Sequence, residues 1–132
     1  MSIRYLSVEN IIALHNDQIR RFGGVAGILE FGLLASAVAR PQVAFGNQEA
    51  YPSLELKAAV LCHSLLKNHS FRDGNKRTTI LSLGVFLRAN GYRLKTSSKE
   101  LVEFALEIEN NILDEKKIAL WIAERMQKVP NG

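Results

Sequence analysis

The 132 residues amount to the length of one ordinary domain, enough for a single buried core and too few for two. Apolar residues at 47% and charged residues at 23% lie well away from disordered or fibrous compositions. The 17 Lys and Arg against 13 Asp and Glu leave a formal charge of +4, compatible with an anionic partner, but outside Lys76-Arg77 the basic residues are scattered and a nucleic-acid partner is not expected.

In chain order, Ser7 is placed to cap a first helix over VENIIALHNDQIRRF, whose apolar residues recur at helical spacing and which is expected to end near Arg21. Glycines 23, 24 and 27 make a turn-rich connection to GLLASAVAR, a small-residue helix stopped by Pro41. The pattern lapses over residues 41–53, PQVAFGNQEAYPS, which reads as a long surface loop or short hairpin. LELKAAVLCHSLLKN follows as a nearly all-round apolar helix, the candidate centre of the core, and its Cys62 has no cysteine partner and packs as a small hydrophobe.

NHSFRDGNKRT, from Asn68 to Thr78, then interrupts the apolar pattern, which resumes in TTILSLGVFLRANG as a helix expected to end at Asn90, with Gly91 as the residue that stops it. Tyr92 to Leu94 is at most a short extended link. Ser97 and Glu100 have capping-box spacing ahead of KELVEFALEIEN, and Asp114 is placed to cap a last helix over DEKKIALWIAERMQK, with Trp121 reading as core. The expectation is an all-α bundle of about six helices, one domain over residues 1–132. The N-terminus has no leader-like apolar segment and no stretch reaches the ~20 apolar residues of a bilayer span. With a lone cysteine, this reads as a cytoplasmic protein without a membrane partner.

The polar interruption carries the chemistry. Asp73-Gly74-Asn75-Lys76-Arg77 is a tight turn that opens a helix, so the backbone N–H groups of Gly74 and its successors would face an anion from a positive helix end. Lys76 and Arg77 add charge, suiting the turn to a polyphosphate. Asp73 is a hard oxygen ligand for magnesium, and His69, four residues earlier, is of the residue type best suited to accept a proton near neutral pH. Phe71 between them would anchor the loop inward. Such a set serves transfer of a phosphorus-centred group to a hydroxyl. The same residues also read, one at a time, as a helix cap, a turn and solvated charge, and physics alone leaves both readings open. A transition-metal site is disfavoured, since His63 and His69 are six apart, and His63 and His15 read as helix residues with satisfied hydrogen bonds.

HSFRDGNKRT resembles the HxFx[DN][AG]N[KG]R loop of the Fic/Doc superfamily, in particular its death-on-curing branch, which has lysine before the arginine. LHNDQIRRFGGVAGI, GLLASAVARPQ, the Tyr51-Pro52 loop and FLRANGY resemble the rest of a Doc-type protein in order and spacing. The resemblance implies a Fic-fold bundle with a short flap hairpin, acting with ATP and magnesium on a hydroxyl of a protein target. It assigns His69 as general base, Asp73 as magnesium ligand, and Gly74, Asn75, Lys76, Arg77 and Thr78 to the phosphates, with Phe71 as anchor. Because Lys76 stands where AMP-transferring relatives carry glycine, the implied reaction is transfer of the γ-phosphate, by a toxin, to a threonine of elongation factor Tu, halting translation. AMP transfer is the alternative, and a non-catalytic basic helical binding module the second.

The motif departs from the Doc pattern at Gly74, Leu81 and Lys67, where that pattern has alanine, asparagine and arginine. Fic proteins restrained from within carry an [ST]xxxE[GN] helix. Thr96 and Glu100 have that spacing but Leu101 follows, so the match fails and restraint is expected from a separate antitoxin whose disordered tail folds into a groove.

Overall fold

The computed structural model describes residues 2–130. Helix α1 spans Val8–Phe22, α2 Phe31–Ala39, α3 Leu54–Asn68, α4 Asn75–Ala89, α5 Ser98–Glu109 and α6 Glu115–Arg125, six helices among the described residues, as expected of a Fic-fold bundle. Local chemistry fixes most of the starts. The Ser7 hydroxyl accepts the Asn10 N–H while the Asn10 side chain accepts the Ser7 N–H, a reciprocal cap. Ser53, Ser97 and Asp114 each accept an N–H from the first turn of α3, α5 and α6.

α3 lies at the centre, packed against α2, α4 and α6. It is apolar on most sides because it is covered on most sides: Ala58, Ala59, Leu61, Cys62, Leu65 and Leu66 are all buried. They meet Leu34 and Ala37 of α2, Leu83 and Leu87 of α4, and Ile118 and Ile122 of α6 in one core cluster. Burial pushes the Cys62 thiol up to about 12, consistent with an inert packed side chain. Trp121 stacks on Phe104 with ring centroids 3.8 Å apart and packs, half-buried, against the core.

After α2 the chain makes a 3-10 turn over Arg40–Gln42 containing Pro41, then a hairpin of β1, Ala44–Phe45, and β2, Gln48–Glu49, with Ala44 opposite Glu49 and Phe45 opposite Gln48. The anticipated loop or hairpin is thus a hairpin, and both its strands are exposed. A second small sheet is a departure from the sequence reading. The last helix stops at Arg125, and Met126–Lys128 form β4, antiparallel to β3, Tyr92–Leu94, with Leu94 opposite Met126. Helical periodicity carries no signal of that pairing, because the partner lies more than thirty residues away and supplies the hydrogen bonds from outside the segment.

No helix among the described residues is long and apolar enough to cross a membrane.

Candidate active site

The interruption between α3 and α4 folds as a loop pinned from three sides. His69 ends α3 in the left-handed region, φ 48 and ψ 53, a conformation uncommon for a non-glycine residue. Phe71 is 2% exposed and forms an isolated antiparallel bridge with Ile28, while the Arg72 N–H donates to the Gly27 carbonyl at 3.1 Å. From the other side Asn75, itself buried, spans the loop: its Nδ2 donates to the Phe71 carbonyl at 2.9 Å and its Oδ1 accepts the Phe71 N–H at 3.1 Å. The third support is His15 of α1. Its buried ring stacks on Phe71, centroids 3.8 Å apart, and its Nε2 donates to the Asp73 carbonyl at 2.6 Å.

Above this frame lies a cavity of about 330 Å³ walled by His69, Asp73, Gly74, Asn75, Lys76 and Arg77. Arg72 and Glu109 complete the wall. The sequence-assigned residues from His69 to Arg77 are therefore brought together, with Phe71 beneath them as the anchor. Thr78 is not brought into the cavity. Its side chain is 1% exposed and its hydroxyl has no hydrogen-bond partner, so the phosphate contact assigned to it has no support in the geometry.

The anion-accepting groups also differ from the sequence reading by one position. Gly74 is the N-cap of α4 and offers no side-chain cap, but its N–H is taken by Asp73 Oδ1 at 2.8 Å. The N–H groups left without a partner among the described residues are those of Asn75, Lys76 and Arg77, at the positive end of a 15-residue helix. The Asn75 main-chain N–H is free for an anion, while its side chain is engaged with Phe71 through Oδ1 and one N–H of Nδ2.

Asp73 is exposed yet fixed. Oδ2 accepts the Val25 N–H at 3.2 Å and Oδ1 the Gly74 N–H, and these two bonds, with Arg77 adding charge, hold its carboxyl below the usual carboxylate range. Gly24 makes that approach possible: its φ is +118, and a Cβ there would stand 2.7 Å from Asp73 Oδ2. Arg77 lies over the Phe22 ring at 4.7 Å, and Lys76 Nζ meets Glu109 Oε1 at 3.3 Å. Lys67, where the Doc pattern has arginine, donates to the Glu109 carbonyl and to Asn111 Oδ1 at 2.6 Å, tying the end of α5 to the end of α3. Glu100 is occupied elsewhere, by Thr96 at 2.5 Å and by Arg125.

Sequence reasoning missed Arg72, Glu109, Gly24 and the partner of His15. Arg72 was in view, inside the motif at a position with no assigned role; the other three are brought in by α1, its following loop and α5, and nothing local announces them.

The fold and site together define a helical protein that presents a histidine, a fixed carboxylate and an uncapped helix end to one cavity. A family model, the Fic/DOC family, matches residues 5–87. The chain is 48% identical over 90 residues to a protein named Toxin Doc of Mycolicibacterium smegmatis, covering 68% of this chain and 67% of that one. It is 34% identical over 104 residues to Protein kinase doc of Escherichia phage P1, covering 79% of this chain and 81% of that one. The chain belongs to the Fic/DOC family, and the resemblance seen in its motif extends through most of its length.

Proposed function

We propose that this protein is the toxin of a toxin–antitoxin pair and acts in the cytoplasm, transferring the γ-phosphate of ATP to a hydroxyl of a protein target, with a threonine of elongation factor Tu as that target. The observation that carries the reading is the shared cavity: His69 and the unpartnered first turn of α4 open into the same space. The names of the two relatives, a toxin and a protein kinase, point the same way.

In the proposed reaction Lys76, Arg77 and the N–H groups of Asn75 to Arg77 bind the phosphates and spread their charge. His69 takes the proton of the target hydroxyl as its oxygen attacks the γ-phosphorus. The bond from that phosphorus to the bridging oxygen breaks, and ADP leaves with the electron pair. Orientation does much of the work, and the pinning of the loop by Phe71, Asn75 and His15 supplies it.

Magnesium fits the donor set. Asp73 is a single ionised carboxylate held in place by two N–H bonds, and no group of three metal-ligating side chains exists among the described residues. That is the provision expected for an ion that takes its remaining ligands from phosphate and water. When bound, magnesium neutralises charge on the phosphate oxygens.

Gly74, the residue shared with AMP-transferring relatives, has a backbone reason here: φ is +77, the left-handed region. Its identity therefore gives AMP transfer no support, and the lysine at 76 favours phosphate transfer. Incubation with elongation factor Tu and either γ-labelled or α-labelled ATP tests the reading. Label is expected on the factor only from the γ-position; label only from the α-position would replace phosphate transfer by AMP transfer.

For the antitoxin, the proposed seat of its tail is an apolar groove of about 590 Å³ between α1, α4 and α5, lined by Leu14, Phe22, Ile80, Leu81, Leu101 and Val102. Leu81, where the Doc pattern is polar, extends its apolar wall. Arg77 borders both groove and cavity, so an occupant of the groove reaches the phosphate site through one side chain.

A further inference from the structure

Glu109 is an odd residue to find in the wall of a cavity built for phosphate. It is the last residue of α5, where the helix dipole is negative and a carboxylate is locally unfavourable. It is nonetheless held firmly. Lys67 donates to its carbonyl, the turn beyond it is closed by the Asn110 and Asn111 N–H groups onto Leu106 and Ile108, and Ile108 beside it is fully buried. The side chain is about one-quarter exposed, at 27%, and its Oε1 takes the Lys76 ammonium at 3.3 Å. Lys76 belongs to the uncapped turn of α4, so this pair ties the end of α5 to the start of α4 across the cavity.

We propose that Glu109 is a positioning residue that sets the affinity of the cavity for polyphosphate: its carboxylate holds the Lys76 ammonium in the resting protein and is displaced when phosphate arrives. The inference rests on the polyphosphate reading of the cavity given above. Phosphate and carboxylate compete for the same ammonium, because it is a single charge: the carboxylate occupies one of its three donors and partly neutralises it. The displaced carboxylate then faces the anion that replaced it. Affinity is lower than the cations of the wall alone would give, and the site favours ligands with enough charge to break the pair, triphosphate over monophosphate.

The test is calorimetric titration of the full chain with inorganic tripolyphosphate and with ATP, for the wild type, Glu109→Gln, Lys76→Met and the double variant, each checked for folding by thermal melting. Glu109→Gln is expected to bind both ligands about two- to fivefold more tightly, the range of one broken, partly exposed ion pair. In the Lys76→Met background the same substitution is expected to gain clearly less, since the carboxylate has no ammonium to withhold and only its repulsion of the anion remains. Equal binding by wild type and Glu109→Gln overturns the proposal while leaving the phosphate cavity standing. A gain of the same size without Lys76 also overturns it, because Glu109 then acts by repulsion alone. If no variant binds either ligand, the polyphosphate reading falls and takes this inference with it.

Discussion

Two polar clusters flank α3 and treat their charges in opposite ways. Around its first half, Lys57 is 1% exposed and donates to Glu49 Oε1 at 2.8 Å and the Tyr51 carbonyl at 2.6 Å. Arg40 donates to Ser64 and to the Tyr51 hydroxyl and pairs with Glu115, which also meets His63 at 3.4 Å. Each cation there has a carboxylate and neutral oxygens around it. Pairing with Glu115 raises the Arg40 pKa despite burial, whereas burial, with Arg40 and Lys67 adding to it, lowers that of His63. At the other end of α3, Arg72 has no ion pair among the described residues, Arg77 has an aromatic face, and Lys76 has one carboxylate. The first cluster is closed and ties the hairpin to the core. The second is open, with donors left over for something that arrives. A closed cluster is read as structure and an open one as function, and substitutions in each separate the two.

The largest effect is expected in the open cluster. His69→Ala should lower transfer of labelled phosphate to the target by about 10²- to 10⁴-fold, the usual share of a general base, with the thermal midpoint unchanged because the side chain is exposed. If growth arrest on expression survives the substitution, the binding-module reading takes over. Lys57→Met gives the converse. It keeps the apolar stem but strips the donor from Glu49 and the Tyr51 carbonyl, and is expected to cost about 2 kcal/mol in urea unfolding. Amide exchange across residues 44–49 should quicken with it.

The two clusters were unequally legible in the sequence. The open one is nearly contiguous, so its histidine, carboxylate, glycine and cations stand together in one stretch and needed no fold to be noticed. The helix starts at Ser7, Ser97 and Asp114 were legible for the same reason, each cap being satisfied within three residues. The closed cluster draws on residues 40, 49, 51, 57, 63, 64 and 115, which have no shared motif. Lys57 is a single charged position on an apolar helix, and only the fold shows that it is buried. Glu109 was hidden likewise, 33 residues from Lys76. The short β4 lay hidden inside a helical pattern that its pairing with β3 overrides.

A third substitution stands between the clusters, since it removes no chemical group of the site. Gly24→Ala places a Cβ against Asp73 Oδ2 and asks alanine to adopt φ +118. A cost of about 1–2 kcal/mol in stability is expected from the backbone alone. The sharper readout is the magnesium dependence of transfer, which should shift to higher concentration as the carboxylate is pushed from its two N–H bonds. A loss of stability with no such shift would mean that the fixed position of Asp73 is not what the cavity needs.

The smallest effect concerns Asp73 and acid. Its bonds from the Val25 and Gly74 N–H groups depress the folded-state pKa, so the stability it contributes is fully present above the ordinary aspartate value of about 3.9 and is lost as pH falls through the lowered folded value. Glu100, lowered by Thr96 and Arg125, gives the same sign. Asp73→Asn has a single amide oxygen, so it accepts at most one of the two N–H bonds, and it does not titrate. Its stability should therefore change less than the wild type's between about pH 4 and pH 2, with the two converging at the acid end. Parallel curves over that range would mean that the two N–H bonds orient the carboxylate without favouring its charge. Asp73 would then have no greater preference for the ionised form in the folded protein, and its value to the cavity would lie in placement alone.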